Sequence, residues 1–110
     1  MRSYFIQEIS PADMPKLLEA LSSKAYKIPI KGLFWITLPR HLHSGKQLEH
    51  VKCGPYYMAV EAGDDWLKLE LLVRCEQKIR CECIAYATAE QRQYMMEYLD
   101  QLIRNQDVRV

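Results

Sequence analysis

The sequence predicts an α+β fold: an antiparallel sheet of about five strands, with two longer helices packed on one face and a short helix in the 39–55 connection. Three observations carry this expectation. Residues 56–88 contain three stretches in which apolar and polar side chains alternate, separated by turn residues, which is the pattern of an antiparallel meander. Met14, Leu17, Leu18, Leu21 and Ala25 recur at helical spacing, as do Met95, Tyr98, Leu99 and Leu102. A chain of 110 residues, 49% apolar and 26% charged, has the size and composition of one globular domain, 1–110. The expected order of elements is β-α-β-α-β-β-β-α.

The first strand is RSYFIQEI, residues 2–9. In the helix that follows, Ser10 and Asp13 compete to start it. Starting at Ser10 would put Pro15 deep enough to lose a hydrogen bond and clash, whereas Asp13 as N-cap leaves Pro15 in the first turn, where its missing N–H costs nothing. LFWITLP (33–39) is β-branched and aromatic and reads as the next strand, stopped by Pro39. Sixteen residues then separate Pro39 from Tyr56. Ser44 and Gln47 form an S-x-x-Q capping pattern and Gly54-Pro55 a stop, which predicts a short helix over 45–53.

Parity orders the meander YYMAVEA (56–62), DWLKLELLVRC (65–75) and IRCECIAYAT (79–88), because a slip of one residue turns every side chain over. Leu67, Leu69, Leu71, Val73 and Cys75 share one face, as do Ile79, Cys81, Cys83, Ala85 and Ala87. A two-residue turn at Gly63-Asp64 pairs Val60 with Leu67. A five-residue loop over 76–80 places Arg74 opposite Glu82 and Cys75 opposite Cys81, and the opposed charges favour this register over one that sets Arg74 against Arg80. Thr88 and Gln91 form a second capping box, opening a helix to about residue 105.

Charge and hydropathy exclude several classes. The net charge of +1 makes no bulk case for nucleic acid or an anionic membrane, and no run approaches the ~18 apolar residues of a membrane span. Gln7 and Glu8 interrupt the apolar start before a signal-peptide core forms, so the expected location is the cytoplasm, with four reduced cysteines. No nucleophile elbow, Walker lysine motif or dinucleotide fingerprint is present, so the sequence offers no catalytic residue.

Three sets of residues could carry a function. His41, His43, His50 and Cys53 supply two paired spacings and form a candidate zinc ligand set, although H-x-H with H-x-x-C is no established zinc motif. The plainer reading, solvated histidines with Cys53 anchoring the helix end, is the one the sequence favours. Cys75, Cys81 and Cys83 form the second set, a redox pair or, with a fourth ligand, a thiolate metal site; their core parity favours simple burial. The third is the outer sheet face, where Tyr57, Trp66, Leu72, Ile84 and Tyr86 are more apolar than a solvated face requires. Either 39–55 covers that face or it binds a partner, homodimerisation being the simplest case. The expected function is therefore a small interaction or regulatory module that self-associates through this face, with a zinc-binding protein as the alternative.

Overall fold

The computed structural model describes all residues, 1–110. Its strands are β1 (Ser3–Ile6), β2 (Leu33–Thr37), β3 (Tyr56–Ala62), β4 (Leu67–Glu70), β5 (Leu72–Cys75) and β6 (Ala85–Tyr86). The helices are α1 (Met14–Lys24), α2 (Gly45–Glu49) and α3 (Ala89–Asn105), with single 3-10 turns at Arg40–Leu42 and Val51–Cys53. The fold is the expected α+β arrangement. All strands pair antiparallel in the order β1-β4-β3-β5-β6, with β2 on the free side of β3.

β4 and β5 are two halves of one bent strand, interrupted at Leu71. The Leu71 N–H donates to the Arg2 carbonyl and its own carbonyl accepts from Ala87 N–H. β1 therefore lines β4 and β6 lines β5, end to end along the same edge. β1 is shorter than the alternation suggested because Glu8 takes a left-handed backbone (φ 59°) that takes the chain out of the ladder.

One core lies between the sheet and α1 and α3. Met14, Leu17 and Leu21 of α1 meet Met95, Leu99, Leu102 and Ile103 of α3 over Phe34, Ile36, Met58, Val60, Leu67, Leu69 and Val73. Each buried leucine of this set contributes roughly 1.5–3 kcal/mol relative to an exposed one. Two of the three helix starts follow the sequence signals in full. Asp13 precedes α1 and Pro15 sits in its first turn, but Asp13 has helical backbone angles and makes no side-chain cap bond. Ser10 does the capping instead, its hydroxyl accepting from Asp13 N–H at 3.2 Å and its carbonyl from Met14 N–H. Ser44/Gln47 and Thr88/Gln91 both close complete capping boxes.

Parity survived in the first hairpin, but register did not. Val60 pairs with Leu69 and Ala62 with Leu67, two residues away from the expected alignment. The loop is Gly63–Trp66, closed by Gly63 N–H to Trp66 O at 2.9 Å. The Trp66 indole lies over Gly63 so closely that a Cβ there would meet the ring at 2.0 Å, which explains glycine at that position. A shift of two keeps every side chain on its face, so the core set of these strands is as read.

The second hairpin differs more. Leu72 pairs with Tyr86 and Val73 with Ala85, and only Ala85–Tyr86 of the third stretch is strand. Cys75 is thus not opposite Cys81, Ala85 is exposed rather than in the core, and Ile79 is 92% exposed. The physical cause is competition for backbone groups: Glu76 N–H donates to Pro55 O and Gln77 N–H to Cys53 O, which draws the chain beyond β5 to the 53–55 turn instead of to its own ladder.

The outer sheet face is not covered by 39–55. Leu42, Gln47 and Cys53 of that connection are buried on the core side, where Gln91 of α3 donates to the Leu42 carbonyl at 2.8 Å. Part of the outer face is covered instead by residues 26–27, which pair with Trp35. No helix is long and apolar enough to cross a membrane.

Candidate metal centre

Two segments that are distant in sequence meet at one end of the sheet. The first is α2 and the turn after it. Ser44 accepts from Gln47 N–H and Gln47 Oε1 accepts from Ser44 N–H, fixing the helix start. Tyr56 donates its hydroxyl to the His50 carbonyl at 2.7 Å, and Cys53 N–H donates to the same carbonyl, fixing its end. A turn of this kind places His50 and Cys53 on one side, as their spacing implies. The second segment is the loop 76–84, whose Cys81–Ile84 turn is closed by Ile84 N–H to Cys81 O.

Two buried glutamines tie these segments to α3. Gln91 Nε2 donates to Gln47 Oε1 at 3.1 Å, and Gln47 Nε2 donates to the Cys83 carbonyl at 3.4 Å. Each glutamine thus caps its own helix and also joins two segments. No buried side-chain nitrogen or oxygen is left without a partner.

The result is a cluster of His50, Cys53, Cys81 and Cys83, whose ligand atoms all lie within 4.8 Å of one another. His50 Nδ1 is 3.3 Å from Cys81 Sγ and 3.9 Å from Cys53 Sγ, and the two sulfurs are 4.0 Å apart. A zinc ion about 2.3 Å from sulfur and 2.0–2.1 Å from nitrogen sets tetrahedral edges of about 3.8 Å between sulfurs and about 3.5 Å between sulfur and nitrogen. The three separations among His50, Cys53 and Cys81 lie close to those edges, and the Cys83 sulfur lies within 4.8 Å of each of the three. The other imidazole nitrogen, Nε2, is 3.5 Å from the Glu82 carboxylate. That arrangement, a carboxylate behind the imidazole, is how metal-bound histidines are oriented.

Burial is graded across the site. Cys53 and Cys83 are buried, while His50 and Cys81 are half-exposed. Burial pushes the Cys83 thiol from the ordinary 9.0 up to about 12, and pushes Cys53 up as well. Cys81 moves the other way, down to about 7, because the Cys83 backbone N–H donates to it, with smaller help from the Cys83 and Cys53 thiols and from His50. The set thus combines a readily formed thiolate at the rim with buried thiols that a cation would have to deprotonate.

The structure divides the first candidate set and merges part of it with the second. His50 and Cys53 are in the cluster. His41 and His43 are not: His41 stands edge-on to Tyr94, and His43 Nε2 is bonded to the Leu38 carbonyl at 3.1 Å. Their place is taken by Cys81 and Cys83. Cys75 stays outside the four, buried, with its sulfur 3.8 Å from that of Cys83. The spacings H-x-x-C and C-x-C were both visible as pairs; that each completes the other depends on the meeting of the two segments.

On the outer face, Tyr57 is buried beneath Trp35, with ring centroids 4.0 Å apart, and Tyr26 closes on both rings. Trp66 packs against Phe5, Tyr86 lies under the Arg2 guanidinium, and Ile84 is half-buried against the core. Leu72 is half-exposed.

Comparison of the chain with protein-family models, with curated proteins and with solved structures returned no match.

Proposed function

We propose that this protein is a metal-binding domain in which His50, Cys53, Cys81 and Cys83 hold one zinc ion. The observation that supports the reading is the convergence of one imidazole and three thiols, from segments about thirty residues apart in sequence, within 4.8 Å. Thiolate and imidazole donors suit zinc among the available divalent ions, and four protein ligands fill its tetrahedral shell, which is the arrangement of a structural rather than a catalytic site. The ion would cross-link α2 and the loop 76–84, two segments with little regular structure of their own.

The test is metal content by elemental analysis, on untagged protein purified under reducing conditions. One tightly held zinc per chain is expected, reduced to background by His50→Ala with Cys83→Ser and unaffected by His41→Ala with His43→Ala. Protein that takes up no zinc when offered it under reducing conditions would end the reading.

A second reading is self-association through the outer sheet face. It is favoured by Phe5 and Tyr86, both 44% exposed, on the edge strands β1 and β6 beside Trp66 and Leu72. Leu72→Lys is expected to leave folding intact and convert a dimer to a monomer in sedimentation; a wild-type chain already monomeric at high concentration removes this reading.

A further inference from the structure

The same cluster contains thiols placed to react with one another. Cys53 and Cys81 are 28 positions apart in sequence, yet their sulfurs are 4.0 Å apart. The backbone bond from Gln77 N–H to Cys53 O, 3.1 Å, holds their segments together independently of the side chains. A disulfide needs sulfurs at about 2.05 Å, so the pair must close by about 2 Å on oxidation. Cys81 is half-exposed while Cys53 is buried behind it, which gives an oxidant access to one thiol and keeps the other in reserve.

We propose that the metal centre is redox-gated: a hydroperoxide joins Cys53 to Cys81 as a disulfide, and the metal is released while the two segments stay joined. This rests on reading the four residues as a metal site. In the first step the Cys81 thiolate attacks the peroxide; an S–O bond forms, the O–O bond breaks, and the departing hydroxide is protonated to water. In the second step the Cys53 thiolate attacks the Cys81 sulfenic acid; the S–S bond forms, the S–O bond breaks, and a second water leaves. Two thiolates have then supplied the two electrons that reduce one hydrogen peroxide to two waters. The metal retains only His50 and Cys83, half its ligands, and dissociates.

The geometry distinguishes this pair from the other close pair. Cys75 and Cys83, 3.8 Å apart, are both buried, so neither is reached first. Cys83 lies within 4.8 Å of Cys81 as well, so a Cys81–Cys83 link is the competing product that the cross-link map must separate. Metal and disulfide are thus alternative cross-links between the same two segments, and the oxidised protein keeps its fold.

The experiment treats zinc-loaded full-length protein with stoichiometric hydrogen peroxide, reading zinc release with a chromophoric chelator and cross-links by peptide mass mapping. One zinc released per Cys53–Cys81 disulfide is expected, with an intact mass lower by two hydrogens and unchanged circular dichroism. Dithiothreitol with added zinc should restore the loaded form, and Cys75→Ala should bind and release zinc as the wild type does. Release accompanied only by sulfinic acid, a cross-link confined to Cys81–Cys83 or to Cys75–Cys83, or zinc retained through the treatment would each overturn the gating while leaving the metal site standing. Wild-type protein that holds no zinc before peroxide is added overturns the metal site and the gating together.

Discussion

The two ends of this molecule are held together by different means. In the sheet and the two long helices, order comes from continuous backbone ladders and from a core in which leucines such as Leu17, Leu21 and Leu67 have no exposure at all. At the other end, α2 has five residues, the segments around it are single turns, and Leu48, Val51 and Ile79 face solvent. A helix that short is not stable on its own. That end depends on point fastenings, the paired glutamines, the Tyr56 hydroxyl and a few backbone bonds, to which a metal held by the His/Cys cluster, as proposed, would add another. Where apolar area is scarce, a few strong cross-links replace many weak contacts, and a bound cation is such a cross-link.

The sharpest way to break this comparison is to load the proposed metal site and then strip it. With free zinc at about a thousand times its dissociation constant, chelation should cost about 4 kcal/mol of unfolding free energy, measured by denaturant titration. Hydrogen exchange should then rise in 40–55 and 76–84 and stay slow in α3. Uniform loss of protection across both ends would show that they are one cooperative unit. A core truncation is the converse test. Leu69→Ala should cost about 3 kcal/mol through the cavity it leaves, without changing zinc content.

Gln91→Leu probes the junction between the ends. It removes the donors to Leu42 and Gln47 and should cost about 2 kcal/mol. Unlike Leu69→Ala, it should also weaken zinc binding, because Gln47 positions Cys83 through its carbonyl; unchanged affinity in a competition titration would detach the glutamines from the site.

The smallest effect expected lies in the sheet half. Tyr4 donates to Asp100 at 2.6 Å, and that bond is the main cause of a phenol pKa raised from 10.0 to about 12. Since the folded value lies above the unfolded one, the bond's contribution is complete below pH 10 and is lost as pH rises towards 12. Tyr4→Phe should cost about 1 kcal/mol at neutral pH and should flatten stability over that alkaline window. An alkaline profile identical in the two proteins would assign the loss to other groups.

How much of this was legible in the sequence follows from the range of the forces involved. Helix starts were readable because a cap is decided within four residues: Thr88 with Gln91 and Ser44 with Gln47 formed as their spacing implied. Side-chain parity in β3, β4 and β5 was readable because strand geometry is local, so the core faces held even though the first hairpin slipped by two. The register itself was not. A charge pair such as Arg74 with Glu82 favours one alignment by ~0.2–1 kcal/mol, and two backbone bonds to the 53–55 turn were enough to set another.

The candidate site sat on that boundary. The sequence by itself determined that His50 and Cys53 would share one side of a turn and that Cys81 and Cys83 would follow each other closely, because both relations depend on neighbouring residues. It gave equal standing to His41 and His43, which are far nearer in sequence to His50 than Cys81 and Cys83 are. Only the tertiary structure decided between them. Closing 76–84 onto 50–55 is a long-range event, fixed by competition for backbone hydrogen bonds and by burial of Gln47 and Gln91, and no local pattern encodes its outcome. That closure turned two separate His/Cys pairs into one four-membered cluster, the candidate site.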